Sequence, residues 1–147
     1  MVTVAEEPGQ ITVQQSRFLT TGDLEPGEDE TTWWVPVGLR SGQRPASPGR
    51  ALTIKEDTIR DVNESFYKLN ADQSAFYRTN YPPDRLTQLG RLRNRLSVPD
   101  KIGLIADASA LAVAGNGTTA GLLTLLENFR DEQDYLCVSL NNLVASY

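Results

Sequence analysis

The run from Phe66 to Tyr81, FYKLNADQSAFYRTNY, constrains the fold of this chain more than any other segment. Aromatic residues lead two short runs on either side of a polar turn, Asn70-Ala71-Asp72-Gln73, and that arrangement predicts a β-hairpin. Alternate residues of a strand face opposite sides, so Phe76 and Arg78 share a face and Tyr77 takes the other. The ordinary expectation is core packing for these aromatics and a surface ion pair for Arg78. The alternative is that Tyr77 or Arg78 docks onto a neighbouring domain.

The rest of residues 1–81 has the same β character. Val2-Thr3-Val4 and Ile11-Thr12-Val13 flank Glu7-Pro8-Gly9-Gln10, with Pro and Gly at the central positions of a turn. The apolar positions then change from odd (Ile11, Val13) to even (Phe18), which predicts a bulge or bend around Gln14–Ser16. Thr20–Thr31 is a loop kept wet by Asp23, Glu25, Glu28, Asp29 and Glu30. Thr32–Leu39 is expected to be a strand, at an edge or bulged because Pro36 has no N–H for a ladder. Trp33, Val35 and Val37 fall on one face and Trp34 on the other. One tryptophan must therefore leave the core, and an outward tryptophan is often an interface residue. Arg40–Arg50 is a Gly/Pro loop, and Ala51–Ile54 and Thr58–Val62 are short strands.

After Tyr81 the period changes. Pro82-Pro83-Asp84 can open a short helical turn, and from Ser97 the pattern is helical. Ser97-Val98-Pro99-Asp100 is a capping box with Asp in place of Glu. Ile102, Ile105, Ser109, Ala112 and Val113 are expected to form the inner face, and Gly115-Asn116-Gly117 to end the helix. A second helix follows over Thr118–Phe129. A third starts near Asp131 and carries Tyr135, Leu136, Val138, Leu140 and Leu143. The expected architecture is mainly β followed by α: a β-sandwich domain over 1–81, a connector over 82–96, and the start of a helical array over 97–147.

Composition excludes several functions. The net charge of −5 opposes nonspecific nucleic-acid binding, so the Arg85, Arg91, Arg93 and Arg95 cluster is read as a solvated connector on an apolar surface. No window approaches the roughly 18 apolar residues of a membrane span. The N-terminus has no basic start or apolar signal core. The single Cys137 makes no internal disulfide and is read as a buried thiol on an apolar helix face. These features give a cytoplasmic expectation. The acidic loop lacks EF-hand spacing, and with no histidine there is no His base for a serine or cysteine nucleophile. Gly115-Asn-Gly-Thr-Thr lacks the lysine of a phosphate loop, and a helix-to-helix turn explains it.

Several segments resemble one family in order. Gln15-Ser16-Arg17-Phe18-Leu19, Trp33-Trp34-Val35-Pro36-Val37, Lys68-Leu69-Asn70 with Phe76-Tyr77-Arg78 and Asn80-Tyr81, and Leu96-Ser97 through Asp100, Asp107-Ala108 and Gly115 are similar to zinc aminopeptidases of the aminopeptidase N and puromycin-sensitive type. Two places depart. Ala75 stands where that family commonly has Gly, and the segment after Tyr135 drifts from its Tyr-x-x-Trp pattern. The resemblance implies a parent enzyme that removes N-terminal residues from peptides by zinc-activated water, with this segment as its third, β-sandwich domain and the start of its fourth. The His-Glu-x-x-His and Gly-x-Met-Glu-Asn motifs are both missing here. The chain is therefore expected to hold no catalytic, metal or cofactor residue, to be inactive alone, and to look cut from something longer. Its expected partners are the parent's remaining domains, and through them peptides, with no nucleic acid and no membrane. Trp33, Trp34, Tyr77 and Arg78 are the candidate interdomain contacts. Three unfinished helices also predict self-association in isolation. The competing expectation is a stand-alone interaction module that reuses the fold.

Overall fold

A computed structural model of the chain describes residues 1–21, 24–25, 27–42, 49–133 and 139. Among the described residues, eight strands, with a 3₁₀ turn between the seventh and the eighth, are followed by three helices. The strands are β1 (Val2–Glu7), β2 (Gln10–Gln15), β3 (Val35–Pro36), β4 (Arg40–Ser41), β5 (Ala51–Leu52), β6 (Glu56–Arg60), β7 (Tyr67–Lys68) and β8 (Thr79–Asn80). The helices are α1 (Pro83–Arg91), α2 (Val98–Val113) and α3 (Thr119–Asn128).

Val2, Val4, Ile11 and Val13 alternate with polar residues, and this period of two builds the centre of the main sheet. β1 and β2 pair antiparallel across the Pro8-Gly9 turn, where Gly9 takes φ 71°. β6 adds to β2, placing Ile59 opposite Ile11, and β8 adds parallel to the other edge of β1. The strand order is β6-β2-β1-β8, and β3–β5 and β4–β7 form two further two-stranded ladders.

The expected bulge at Gln14–Ser16 is absent. β2 keeps its register to Gln15, which is buried beside Ile11 and Val13 on the inward face. Its amide donates to the carbonyls of Trp33 (3.0 Å) and Ile54 (2.9 Å) and accepts from Trp33 N (2.7 Å). An inward glutamine was invisible to a pattern read from hydrophobicity alone. The expected strand 32–39 shrinks to Val35–Pro36, and both tryptophans are exposed rather than one.

The expected hairpin over 66–81 is also corrected. β7 pairs with β4, β8 pairs with β1, and the two do not pair with each other. Asn70, Asp72 and Gln73 adopt left-handed φ of 50°, 57° and 51°, so the chain crosses between ladders through a 3₁₀ turn at Ala71–Gln73. Ala75 is not among the left-handed residues.

The 82–96 segment is largely helical. Pro83 sits in the first turn of α1, and a 3₁₀ turn follows at Arg93–Arg95. Arg85 is buried rather than solvated: it donates to Glu6 (2.5 Å) and lies 4.2 Å from the Tyr67 ring centre. Ser97 and Asp100 form the capping box on α2. The buried face of α2 keeps Ile105 of the expected set and is otherwise rotated from it. Leu104, Ile105, Ala108 and Leu111 point inward together with Asp100 and Asp107, while Val113 is 82% exposed. The two aspartates disguised the helical stripe. The Leu111 carbonyl accepts from Asn116 N and Gly117 N and closes the helix, and Thr118 caps α3. The third helix expected after Asp131, Cys137, and Asp23 of the acidic loop lie outside the described residues. A single apolar cluster runs from Val2, Val13 and Leu52 in the strands to Leu89, Ile105 and Leu125 in the helices.

Candidate functional site

An open cleft of about 760 Å³ lies where the end of β2, the segment 33–36 and the loop before β8 meet α2. All four candidate contact residues, Trp33, Trp34, Tyr77 and Arg78, line it. Trp33 is positioned through its backbone by Gln15. Tyr77 donates its hydroxyl to Val37 O at 2.7 Å, and burial raises its pKa so that it stays a donor. Arg78 reaches Asp107 at 3.4 Å and lies 5.0 Å from the Phe18 ring centre. Phe76, expected in the core, projects fully into solvent at 109% relative exposure.

Behind the cleft a buried charged joint connects the strands to α2. Lys68 Nζ contacts Asp100 Oδ1 (3.0 Å), Leu69 O (2.9 Å) and Asn70 O (3.1 Å), one acceptor for each N–H of an ammonium. The Asp100 carboxylate also accepts from Arg40 (2.8 Å), Asp72 N (2.7 Å) and Ser97 N (3.3 Å). Burial alone would raise its pKa. Lys68, the Asp72 N–H and Arg40 outweigh burial and hold the carboxyl below its ordinary value. Asp107 is held above its ordinary value by burial, against the pull of Thr79 N (2.9 Å) and Arg78.

The sequence reading missed this joint. Its signal was Asp100 and Asp107 seven residues apart on one helical face, with Lys68 in an aromatic-rich strand. The cleft carries exposed aromatic rings beside an Arg78–Asp107 ion pair, and the joint is a structural tie. Among the described residues no three His, Cys, Asp or Glu side chains are placed to hold a metal. The donor set of the described residues does not fit a zinc centre.

Residues 66–144 match the model of the ERAP1-like C-terminal domain family. The chain belongs to that family. Aminopeptidase 2 of Candida albicans is 40% identical over 131 residues, covering 87% of this chain and 14% of the relative. The alanine/arginine aminopeptidase of Saccharomyces cerevisiae is 35% identical over 136 residues, covering 92% and 16%. The puromycin-sensitive aminopeptidase of Caenorhabditis elegans is 30% identical over 133 residues, covering 86% and 14%. This ERAP1-like chain thus spans less than a fifth of the length of these relatives, and homology to aminopeptidases extends over most of it.

Proposed function

We propose that this chain is the non-catalytic β-sandwich and opening helical portion of a zinc-dependent aminopeptidase that removes N-terminal residues from peptides. The observation that carries the reading is the 40% identity to an aminopeptidase along 87% of the chain. The complete lack of histidine supports a non-catalytic role, because the zinc motif must then lie elsewhere in the polypeptide. In this reading residues 1–81 are the sandwich, 82–96 the connector and 97–147 the start of a helical array. The parent's other domains cover the cleft at Trp33, Trp34, Tyr77 and Arg78, and without them the chain self-associates. The single cysteine supports a reducing, cytoplasmic setting. Among the described residues no helix is long and apolar enough to cross a membrane.

Sequencing the transcript upstream of Met1 tests the reading. The expected result is an in-frame His-Glu-x-x-His with a Gly-x-Met-Glu-Asn motif before it. A transcript that encodes no zinc motif in frame overturns it.

A further inference from the structure

The loop between β7 and β8 holds one phenyl ring in water on a rigid mount. Asn70, Asp72 and Gln73 are left-handed, a conformation that Asn and Asp tolerate better than most residues but that Gln73 holds against its preference. Here the surroundings are specific. The buried Asn70 amide accepts from Ala75 N (2.8 Å) and donates to Ala75 O (2.9 Å) and Gln73 Oε1 (2.6 Å). Asp72 N is held by Asp100. Gln73 lies across Gly103 so closely that a Cβ there would sit 1.2 Å from its Nε2. Ala75 and Tyr77 are pinned on either side of Phe76, and the Phe76 ring itself is fully exposed at the rim of the cleft.

The surface beside it mixes exposed apolar side chains with Arg17, Arg78 and Asp107. Trp33 (42% exposed) and Trp34 (70%) line the same cleft, and exposed Ile54 shares the Gln15 amide with Trp33. An aromatic side chain fixed before binding loses little freedom on docking, and such residues are the usual anchors of protein interfaces. The occupant follows from chain length. The segment that this chain matches makes up only 14–18% of the relatives' length. One wall of the cleft, at 73–78 and Asp107, lies inside the matched domain, and the other, at 33–36, precedes it.

We propose that Phe76, flanked by Trp33 and Trp34, is the anchor that seats this chain in an apolar recess of another domain of the same aminopeptidase polypeptide. This rests on the reading given under Proposed function. To test it, the chain replaces the matched segment of the Candida albicans aminopeptidase 2, with and without Phe76→Ser. Aminopeptidase activity and the rate at which limited proteolysis releases the segment are then measured. The melting temperature of the isolated chain is measured with the same substitution. The unsubstituted chimera is expected to be active and protease-resistant. Phe76→Ser is expected to raise the release rate about tenfold while leaving the isolated chain's melting temperature unchanged. Equal release rates in two active chimeras overturn the anchor and leave the aminopeptidase reading standing. An unsubstituted chimera that is unfolded and inactive overturns both. A melting temperature lowered by the same amount at every concentration of the isolated variant overturns the anchor, since the ring then has an internal partner. So does a concentration-dependent dimer of the isolated chain that Phe76→Ser abolishes while release is unchanged, which assigns the surface to a second copy.

Discussion

Four donors from three separate parts of the chain converge on the Asp100 carboxylate, so one residue caps α2, holds the 70–73 turn and neutralises Lys68. Asp100→Asn leaves the Lys68 ammonium buried without its counter-charge and is expected to cost about 3–5 kcal/mol at pH 7. The pH dependence has a definite sign. The pKa of Asp100 is lower folded than unfolded, so its stabilisation is present above the unfolded value near 4 and is lost as pH falls through the folded one. Urea titrations of both proteins should therefore show the difference shrinking between pH 7 and pH 2. A gap that stays constant over that range contradicts the account. Asn70→Ala removes the loop brace and leaves Ala75 N without its acceptor. A loss of about 2–4 kcal/mol is expected in the same titrations, and a change under 0.5 kcal/mol would show that the brace is idle. Neither residue was legible as a tie from sequence. Their polarity suggested a cap and a turn, and only tertiary hydrogen bonds make them interior.

At the scale of elements, local chemistry was readable and burial was not. Pro8-Gly9, Ser97 with Asp100, and the stop at Gly115 act on neighbours within a few residues, and each sits where its residue type predicts. Ser97→Ala removes the acceptor of Asp100 N and is expected to lower stability by about 1 kcal/mol, visible as a reduced melting temperature in a calorimetric scan. An unchanged melting temperature would mean that the cap is redundant with the buried contacts of Asp100. The inner face of α2 was misassigned because Asp100 and Asp107 occupy it, and β2 was misread because Gln15 continues its inward side. The 66–81 hairpin failed for a related reason. Both halves are strands, but β7 pairs with β4 in a separate ladder while β8 joins the edge of the main sheet, and pairing partners at long range leave no local mark.

At the scale of the whole molecule, the order β then α was legible from the change of period at Tyr81, and family membership from the ordered motifs between Gln15 and Gly115. The four candidate contact residues were singled out by chemistry, and nothing in the sequence showed that they share a cleft. Their convergence on one cleft depends on how 33–36 and 73–78 are brought together, with Phe76 as the unanticipated member. The central claim is that this chain contributes structure to an aminopeptidase and not its catalysis. Its most direct test is metal analysis of the purified chain after zinc loading and desalting, together with hydrolysis of aminoacyl fluorogenic substrates. The account predicts far less than one equivalent of retained zinc and no release above buffer. One equivalent of tightly held zinc with zinc-dependent release of an N-terminal residue would contradict it.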